Sequence, residues 1–160
     1  MKPSWELKLE DIKSSFSSAH FVFGSSACEP LHGHDYTVRV LVRGELNKDQ
    51  MVIDFLKLKP ILRSIIQELE GKFLLPEESP YVTILEKDDH VVLRTPDQHG
   101  KEYVFPKEDV VSLPIKNSTV EELALYIHSQ LVSHLKELDN ALEVSVWVGE
   151  TPFQGVWYPS

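Results

Sequence analysis

The most informative stretch of this 160-residue chain reads Cys28-Glu29-Pro30-Leu31-His32-Gly33-His34-Asp35-Tyr36. His32 and His34 are two residues apart, so on an extended strand both imidazole rings point to the same face. Gly33 has no side chain and leaves space between the two rings. The stretch therefore predicts a β-strand that presents two histidines side by side.

The alternation of apolar residues extends this strand and predicts others. Between Tyr36 and Val42 every second residue is apolar and faces one way. Upstream, residues 5–23 alternate more loosely and predict one or two strands. Two further strand-like runs, 142–148 and 155–158, close the chain.

Two segments have the period of a helix instead. The first begins at Phe55, after Asp54 as a possible cap, and Gly71 is placed to end it. The second begins near Ser118-Thr119, where glutamates three residues further on suggest a capping box. The apolar stripes are Leu58, Ile61, Leu62, Ile65, Ile66 and Leu69 in the first helix, and Leu123, Ile127, Leu131, Leu135 and Leu138 in the second.

The region between the helices, residues 80–115, predicts a β-hairpin. Val91-Val92-Leu93 and Tyr103-Val104-Phe105 flank a polar turn at 96–100. The whole order is strands, helix, hairpin, helix, strands. It predicts one α+β domain over residues 1–160 with a mostly antiparallel, four-stranded sheet. The exposed edges of so small a sheet favour association with other subunits.

Composition excludes several classes of function. The formal net charge of −9 disfavours nucleic acid and anionic membranes as partners. No apolar run approaches the roughly 18–20 residues that a membrane-spanning helix needs. A single cysteine rules out an intrachain disulfide, and we expect a reducing, cytoplasmic setting.

A third histidine, His20, lies on the preceding predicted strand. Together with His32 and His34 it suits a catalytic zinc ion, which has three protein ligands and an open fourth position. The alternative is that the His-x-His pair lies at the surface or is hydrogen-bonded in the core. The remaining histidines are interpreted as solvated or helix-surface residues: His90, His99, His128 and His134.

Cys28 and Glu29 precede the histidine pair. Beside a dication a thiol ionises more readily, and the thiolate can take a proton from a substrate carbon. A lone cysteine is also common as a small buried apolar residue. Glu29 is either an exposed loop residue or a second base in the same pocket.

These residues together resemble the 6-pyruvoyltetrahydropterin synthase family, which includes the 6-carboxytetrahydropterin synthases of queuosine and archaeosine biosynthesis. Nearly the whole chain matches in order, and only the 80–115 hairpin looks like an insertion. The matching pieces are Ser18-Ala19-His20-Phe21, Cys28-x-x-x-His32-Gly33-His34, Val52-Ile53-Asp54-Phe55, Asn117-Ser118-Thr119-Val120-Glu121-Glu122-Leu123-Ala124, and Glu150-Thr151-Pro152 with Tyr158.

The resemblance implies the tunnelling fold, in which two helices pack on a four-stranded antiparallel sheet and subunits form a barrel. The assembly is often a hexamer of two trimers, with active sites between subunits. It implies zinc on the three histidines and 7,8-dihydroneopterin triphosphate as substrate. The product is 6-carboxytetrahydropterin or 6-pyruvoyltetrahydropterin. In this reading Cys28 is the base, Glu150 anchors the pterin, and Thr119 and Glu121 lie at the substrate, although both also suit helix capping.

The chain departs from the family at Leu69-Glu70-Gly71, where members usually carry Leu-Asp-His. Gly71 cannot transfer a proton, so the usual aspartate–histidine relay is in doubt. Either Glu70 replaces it or His90 reaches in from elsewhere. Alternatively the reaction has changed.

Three further hypotheses therefore stay open. The Cys28-Glu29 pair is similar to members that cleave the side chain to 6-hydroxymethyl-7,8-dihydropterin. A second hypothesis is that the chain is a non-catalytic pterin- or purine-binding homologue. A third is that its zinc is structural, with Cys28 as fourth ligand. Lys72 and Arg39 are the candidate contacts for the triphosphate group.

Overall fold

The computed structural model describes residues 4–23, 27–96, 100–136 and 142–159. Nine strands and two helices account for most of them. In chain order these are β1 (Trp5–His20), β2 (His32–Gly44), α1 (Phe55–Gln67), β3 (Phe73–Pro76), β4 (Thr83–Lys87), β5 (His90–Arg94), β6 (Glu102–Pro106), β7 (Val110–Leu113), α2 (Val120–Leu135), β8 (Glu143–Thr151) and β9 (Gln154–Tyr158).

The main sheet has six strands in the order β7-β3-β1-β2-β8-β9. The four strands predicted from sequence form its antiparallel part. The prediction of only four strands is wrong, because β3 and β7 add two parallel pairings beside β1. All four residues of β3 are buried, and so short a run shows no alternation that would mark it as a strand.

The predicted hairpin region, residues 80–115, holds more strands than the two expected. β5 and β6 pair antiparallel, as expected, but β4 adds a third strand to this small sheet. After β6 the chain returns to the main sheet as β7. Part of the predicted turn, residues 97–99, lies outside the described residues, and His99 with it.

Both helices begin where the capping residues predict. Asp54 accepts a hydrogen bond from the backbone N–H of Leu56, and Thr119 accepts one from that of Glu122. Their apolar stripes, as far as Leu135 in α2, pack on one face of the main sheet, against alternate residues of β2 and β8. Leu138 of the predicted stripe lies outside the described residues. α1 ends at Gln67, and the chain then turns through Gly71, whose φ is +69°. None of the described helices is long and apolar enough to cross a membrane.

The pairing of β1 with β2 runs to the very end of both strands. His20 lies opposite His32, and Ser18 lies opposite His34. Because opposed residues of an antiparallel pair share a face, all three imidazoles lie on the same side of the sheet. This is the helix-covered side, where Phe16 and Tyr36 stack with ring centroids 4.9 Å apart.

A second apolar cluster fixes the chain just beyond His20. Phe21 and Phe23 pack with Phe73 of β3 and with the buried residues Val91 and Leu93 of β5. The small sheet therefore rests on the segment that leads from the first histidine toward Cys28.

The Asp54 cap gives a test of this fold. Replacing Asp54 with alanine removes the acceptor for the Leu56 N–H, so we expect the free energy of unfolding to fall by about 0.5–2 kcal/mol. Urea denaturation measures it. Asp49→Ala, an exposed position in the same loop, is the control, and equal losses in both variants would contradict the capping role.

Candidate metal centre

The three histidines predicted as ligands converge at one end of the main sheet. Each offers a ring nitrogen, and these three atoms lie within 4.8 Å of one another. The ring centroids are 4.7 to 5.1 Å apart. Within the described part of the chain, His20, His32 and His34 form this group and Cys28 is not a member of it.

Backbone carbonyls determine the protonation of two of the rings. His20 Nδ1 lies 2.8 Å from the carbonyl oxygen of Ser118, and His32 Nδ1 lies 2.7 Å from that of Pro30. A carbonyl oxygen only accepts, so each Nδ1 must carry the hydrogen and donate it. In the neutral rings the lone pair is then on Nε2, the arrangement that metal-binding histidines adopt.

The Nε2 atoms of His20 and His32 are 3.2 Å apart. With both lone pairs facing each other, no hydrogen bond joins neutral rings at this distance. It agrees instead with the separation of about 3.3 Å between two nitrogens on a tetrahedral zinc ion. His34 Nε2 is buried and has no hydrogen-bond partner among the described residues. The donor set therefore fits a divalent cation.

Burial favours the neutral form of His20. His20 is fully buried, and desolvation lowers the pKa of its imidazolium, against the opposing effect of the Ser118 carbonyl. The hydroxyl of Tyr36 lies 3.1 Å from His20 Nδ1. Burial, together with the charge of Glu150, raises the pKa of that phenol above its ordinary value, so the hydroxyl stays protonated at neutral pH.

Two carboxylates flank the histidines. Glu150, near the end of β8, has Oε1 3.7 Å from His34 Nε2 and 4.0 Å from His20 Nε2. Glu29 has Oε2 4.0 Å from His32 Nε2. A cation bound by the three rings would therefore have a negative group on either side, and both groups were sequence candidates.

Cys28 lies in the segment between β1 and β2. It forms a β-bridge with Phe23, and its thiol donates to the carbonyl oxygen of Glu29 at 3.3 Å. The side chain is half-buried and packs against the cluster of Phe21 and Phe23.

The candidates on α2 lie in its first turn. Thr119 is the N-cap, so its structural role is confirmed. Glu121 is exposed. The capping box is only half formed, since Glu122 accepts from the backbone N–H of Lys116 rather than from the cap residue.

Glu70 and Gly71, which stand where the resemblance leads us to expect Asp-His, are hydrogen-bonded to Ser17 of β1. Glu70 Oε2 accepts the backbone N–H of Ser17 at 2.8 Å, and Gly71 N–H donates to the Ser17 carbonyl at 2.7 Å. The left-handed backbone of Gly71 favours glycine, while a β-carbon there would meet no atom within 4 Å. The conformation of the turn thus suits the glycine that the chain carries at this position.

The other candidates have partners of their own. His90 Nδ1 lies 2.6 Å from Asp89 Oδ1, its only polar partner among the described residues. Lys72 Nζ donates to the carbonyl oxygen of Glu108. Arg39 donates to the Pro152 carbonyl at 2.8 Å and lies over the Trp147 ring at 4.3 Å. We therefore assign none of them to the site.

Two remaining histidines differ in their surroundings. His128 is half-buried rather than solvated, with Nε2 3.1 Å from the Val144 carbonyl and its ring against Tyr158. His134 is exposed on α2, as predicted.

The contacts that the segment before α2 makes at the site were not anticipated from sequence. The carbonyl of Ser118 orients His20, and Asn117 bonds the main chain of Phe23. Both residues belong to the 117–124 motif quoted above. Any residue type can supply a backbone carbonyl, so the sequence could not reveal the role of Ser118. Only the amide side chain of Asn117 could have suggested a hydrogen-bonding role.

The chain is similar to known proteins over most of its length. The family model described as 6-pyruvoyl tetrahydropterin synthase matches residues 11–160. A putative 6-carboxy-5,6,7,8-tetrahydropterin synthase of Methanocaldococcus jannaschii is 38% identical over 146 residues, 89% of this chain and 88% of that protein. A dihydroneopterin monophosphate aldolase of Pyrococcus furiosus is 40% identical over 62 residues, covering 39% of this chain and 55% of that protein.

The crystal structure of 6-pyruvoyl tetrahydropterin synthase from Plasmodium vivax superposes with a TM-score of 0.90 at 36% identity, covering 98% of this chain and 97% of that one. A variant of that protein is described as carrying alanine in place of a catalytic glutamate. With the match over nearly the whole chain, this protein belongs to the 6-pyruvoyl tetrahydropterin synthase family and is a pterin synthase of the lyase type.

Proposed function

We propose that this protein holds zinc on His20, His32 and His34 and converts 7,8-dihydroneopterin triphosphate to 6-carboxytetrahydropterin or 6-pyruvoyltetrahydropterin. One observation carries the proposal: a ring nitrogen from each of the three imidazoles converges within 4.8 Å, and on two of the rings a backbone carbonyl fixes the lone pair on Nε2. Bound zinc would polarise hydroxyl and carbonyl groups of the substrate side chain and acidify the adjacent C–H bonds.

Cys28 is the proposed base. Its segment lies against the strand end that bears His20, through the bridge to Phe23 and the bond from Glu29 N–H to the Val22 carbonyl at 2.9 Å. A thiolate next to a dication is the form that takes a proton from carbon. That Cys28 stands outside the ligand group supports an open fourth position and disfavours a purely structural zinc.

Glu150 is the proposed anchor for the pterin ring. Its carboxylate lies beside the histidines and is partly exposed, with 28% of the side-chain surface accessible. A carboxylate there suits the two N–H donors on the amino-pyrimidine edge. Thr119 and Glu121 are retained as proposed substrate contacts, since the first turn of α2 follows the carbonyl that binds His20.

A second candidate reaction is side-chain cleavage to 6-hydroxymethyl-7,8-dihydropterin, with Glu29 as the acid–base group. Two observations favour it. Glu29 Oε2 lies 4.0 Å from His32 Nε2, and the 36%-identical Plasmodium vivax protein has a glutamate described as a catalytic residue. The 40% identity over 62 residues to the dihydroneopterin monophosphate aldolase also favours side-chain cleavage.

Assembly is also a proposal. We expect a homo-hexamer of two trimers with sites between subunits, because the family resemblance implies it and both edge strands of the main sheet, β7 and β9, lack a further partner in the described chain.

Metal content gives the first test. His32→Ala removes one of three ligands, so we expect zinc to fall from one ion per chain to near zero after dialysis, as measured by plasma mass spectrometry. The control is His134→Ala on the exposed face of α2, which should keep its zinc. Full zinc content in His32→Ala would contradict the assignment.

Product analysis separates the two reactions. Under the synthase reaction Cys28→Ala should lower turnover of 7,8-dihydroneopterin triphosphate by about 10²–10⁴, with Glu29→Gln less affected. Under cleavage the order of the two variants reverses and 6-hydroxymethyl-7,8-dihydropterin appears in the mass spectrum. Unchanged turnover in both variants would exclude both assignments.

Glu150→Gln tests the ring anchor. The amide keeps the shape but loses the charge that faces two donors, so KM should rise by about 10-fold or more while zinc content stays the same. Loss of zinc in this variant would instead make Glu150 a metal ligand.

A further inference from the structure

We propose that Asn117 is a positioning residue that holds the Cys28-Glu29 segment beside the metal histidines and so determines the accessibility of the Cys28 thiol and the rate of the reaction. The effect on rate rests on the proposed function. The effect on the thiol does not.

The side chain of Asn117 pairs with the main chain of Phe23 as a second peptide group would. Its Oδ1 accepts the Phe23 N–H at 3.1 Å, and its Nδ2 donates to the Phe23 carbonyl at 2.9 Å. The same Oδ1 accepts the N–H of Ser118 at 3.1 Å. One amide thus binds the segment after β1 to the start of α2.

Ser118 extends this connection by one residue in each direction. Its hydroxyl donates to the carbonyl of Phe21 at 3.1 Å, and its own carbonyl accepts from His20 Nδ1 at 2.8 Å. The two residues before the N-cap of α2 therefore contact three of the four residues from His20 to Phe23.

The held segment in turn carries the reactive pair. Phe23 forms the β-bridge with Cys28, and the Val22 carbonyl accepts the N–H of Glu29 at 2.9 Å. Beyond Phe23 the described chain resumes at residue 27. Phe23, the residue that Asn117 binds, and its neighbour Val22 thus connect the pair to Asn117, whereas His20 and His32 are also fixed by the β1–β2 ladder.

This difference gives the variant a specific signature. Asn117→Ala removes both bonds to Phe23, yet the ladder and the Ser118 carbonyl still hold the histidines. We expect zinc binding to persist, while the thiol, half-buried against Phe21 and Phe23, becomes more accessible. Misplacement of a catalytic group by about 1 Å can cost roughly 10² in rate.

The experiment measures the alkylation rate of Cys28 by iodoacetamide in the zinc-loaded protein at one fixed pH. Because the chain has a single cysteine, the rate reports that thiol alone. Asn117→Ala should react several-fold faster than the parent, with one zinc per chain and a lowered kcat at little-changed KM. Asn117→Asp keeps the Oδ1 acceptor but cannot donate to the Phe23 carbonyl, so it should be intermediate.

Asn47→Ala is the matched control. Asn47 Oδ1 also accepts two backbone N–H groups, of Asp49 at 2.9 Å and Met51 at 3.1 Å, in the loop between β2 and α1. It should alkylate at the parent rate. Parent-like alkylation in both Asn117 variants overturns the proposal, as does loss of zinc alongside the faster reaction. If Asn117→Ala does not fold, Asn117→Asp decides. A parent without turnover refutes the proposed function, and the alkylation comparison still tests Asn117.

Discussion

The site depends on the register between β1 and β2. This pairing places His20 opposite His32 and His34 opposite Ser18, on the face where Phe16 and Tyr36 enter the core. A slip of one residue would turn every side chain of a strand to the other face. It would expose the apolar residues of the core to water and bury polar residues under the helices. The free-energy cost of both changes therefore stabilises the register that brings the three histidines together.

Much of this followed from residue type and spacing. Alternation on β2 placed His32 and His34 on one face, and the capping residues Asp54 and Thr119 marked both helix starts. Such features are local, so a single sequence contains them. The parallel pairing of β3 with β1 and β7 is not local, because it joins distant segments through short buried runs. The carbonyl groups that bind His20 and His32 could not be predicted from sequence either, since any residue supplies a carbonyl.

The departure at Gly71 falls at a turn with left-handed backbone. The chain leaves α1 through a residue with positive φ, and the Glu70 carboxylate is occupied by the Ser17 N–H. The turn is therefore held by the Glu70 side chain and by the bond from Gly71 N–H to the Ser17 carbonyl. Among the described residues, the carboxylates of Glu150 and Glu29 lie within 4.0 Å of ring nitrogens of the three histidines.

The 3.2 Å separation of the Nε2 atoms of His20 and His32 also has a consequence for stability. Two lone pairs held face to face repel each other, and a cation between them turns that repulsion into attraction. Under the proposed zinc binding, the affinity for the ion would include the free energy of closing the His20–His32 pair, the last in the longest strand pairing that the structure describes. Folding at this end of the sheet and binding of the ion would then be one equilibrium, and an occupied site would join β1 and β2 more firmly.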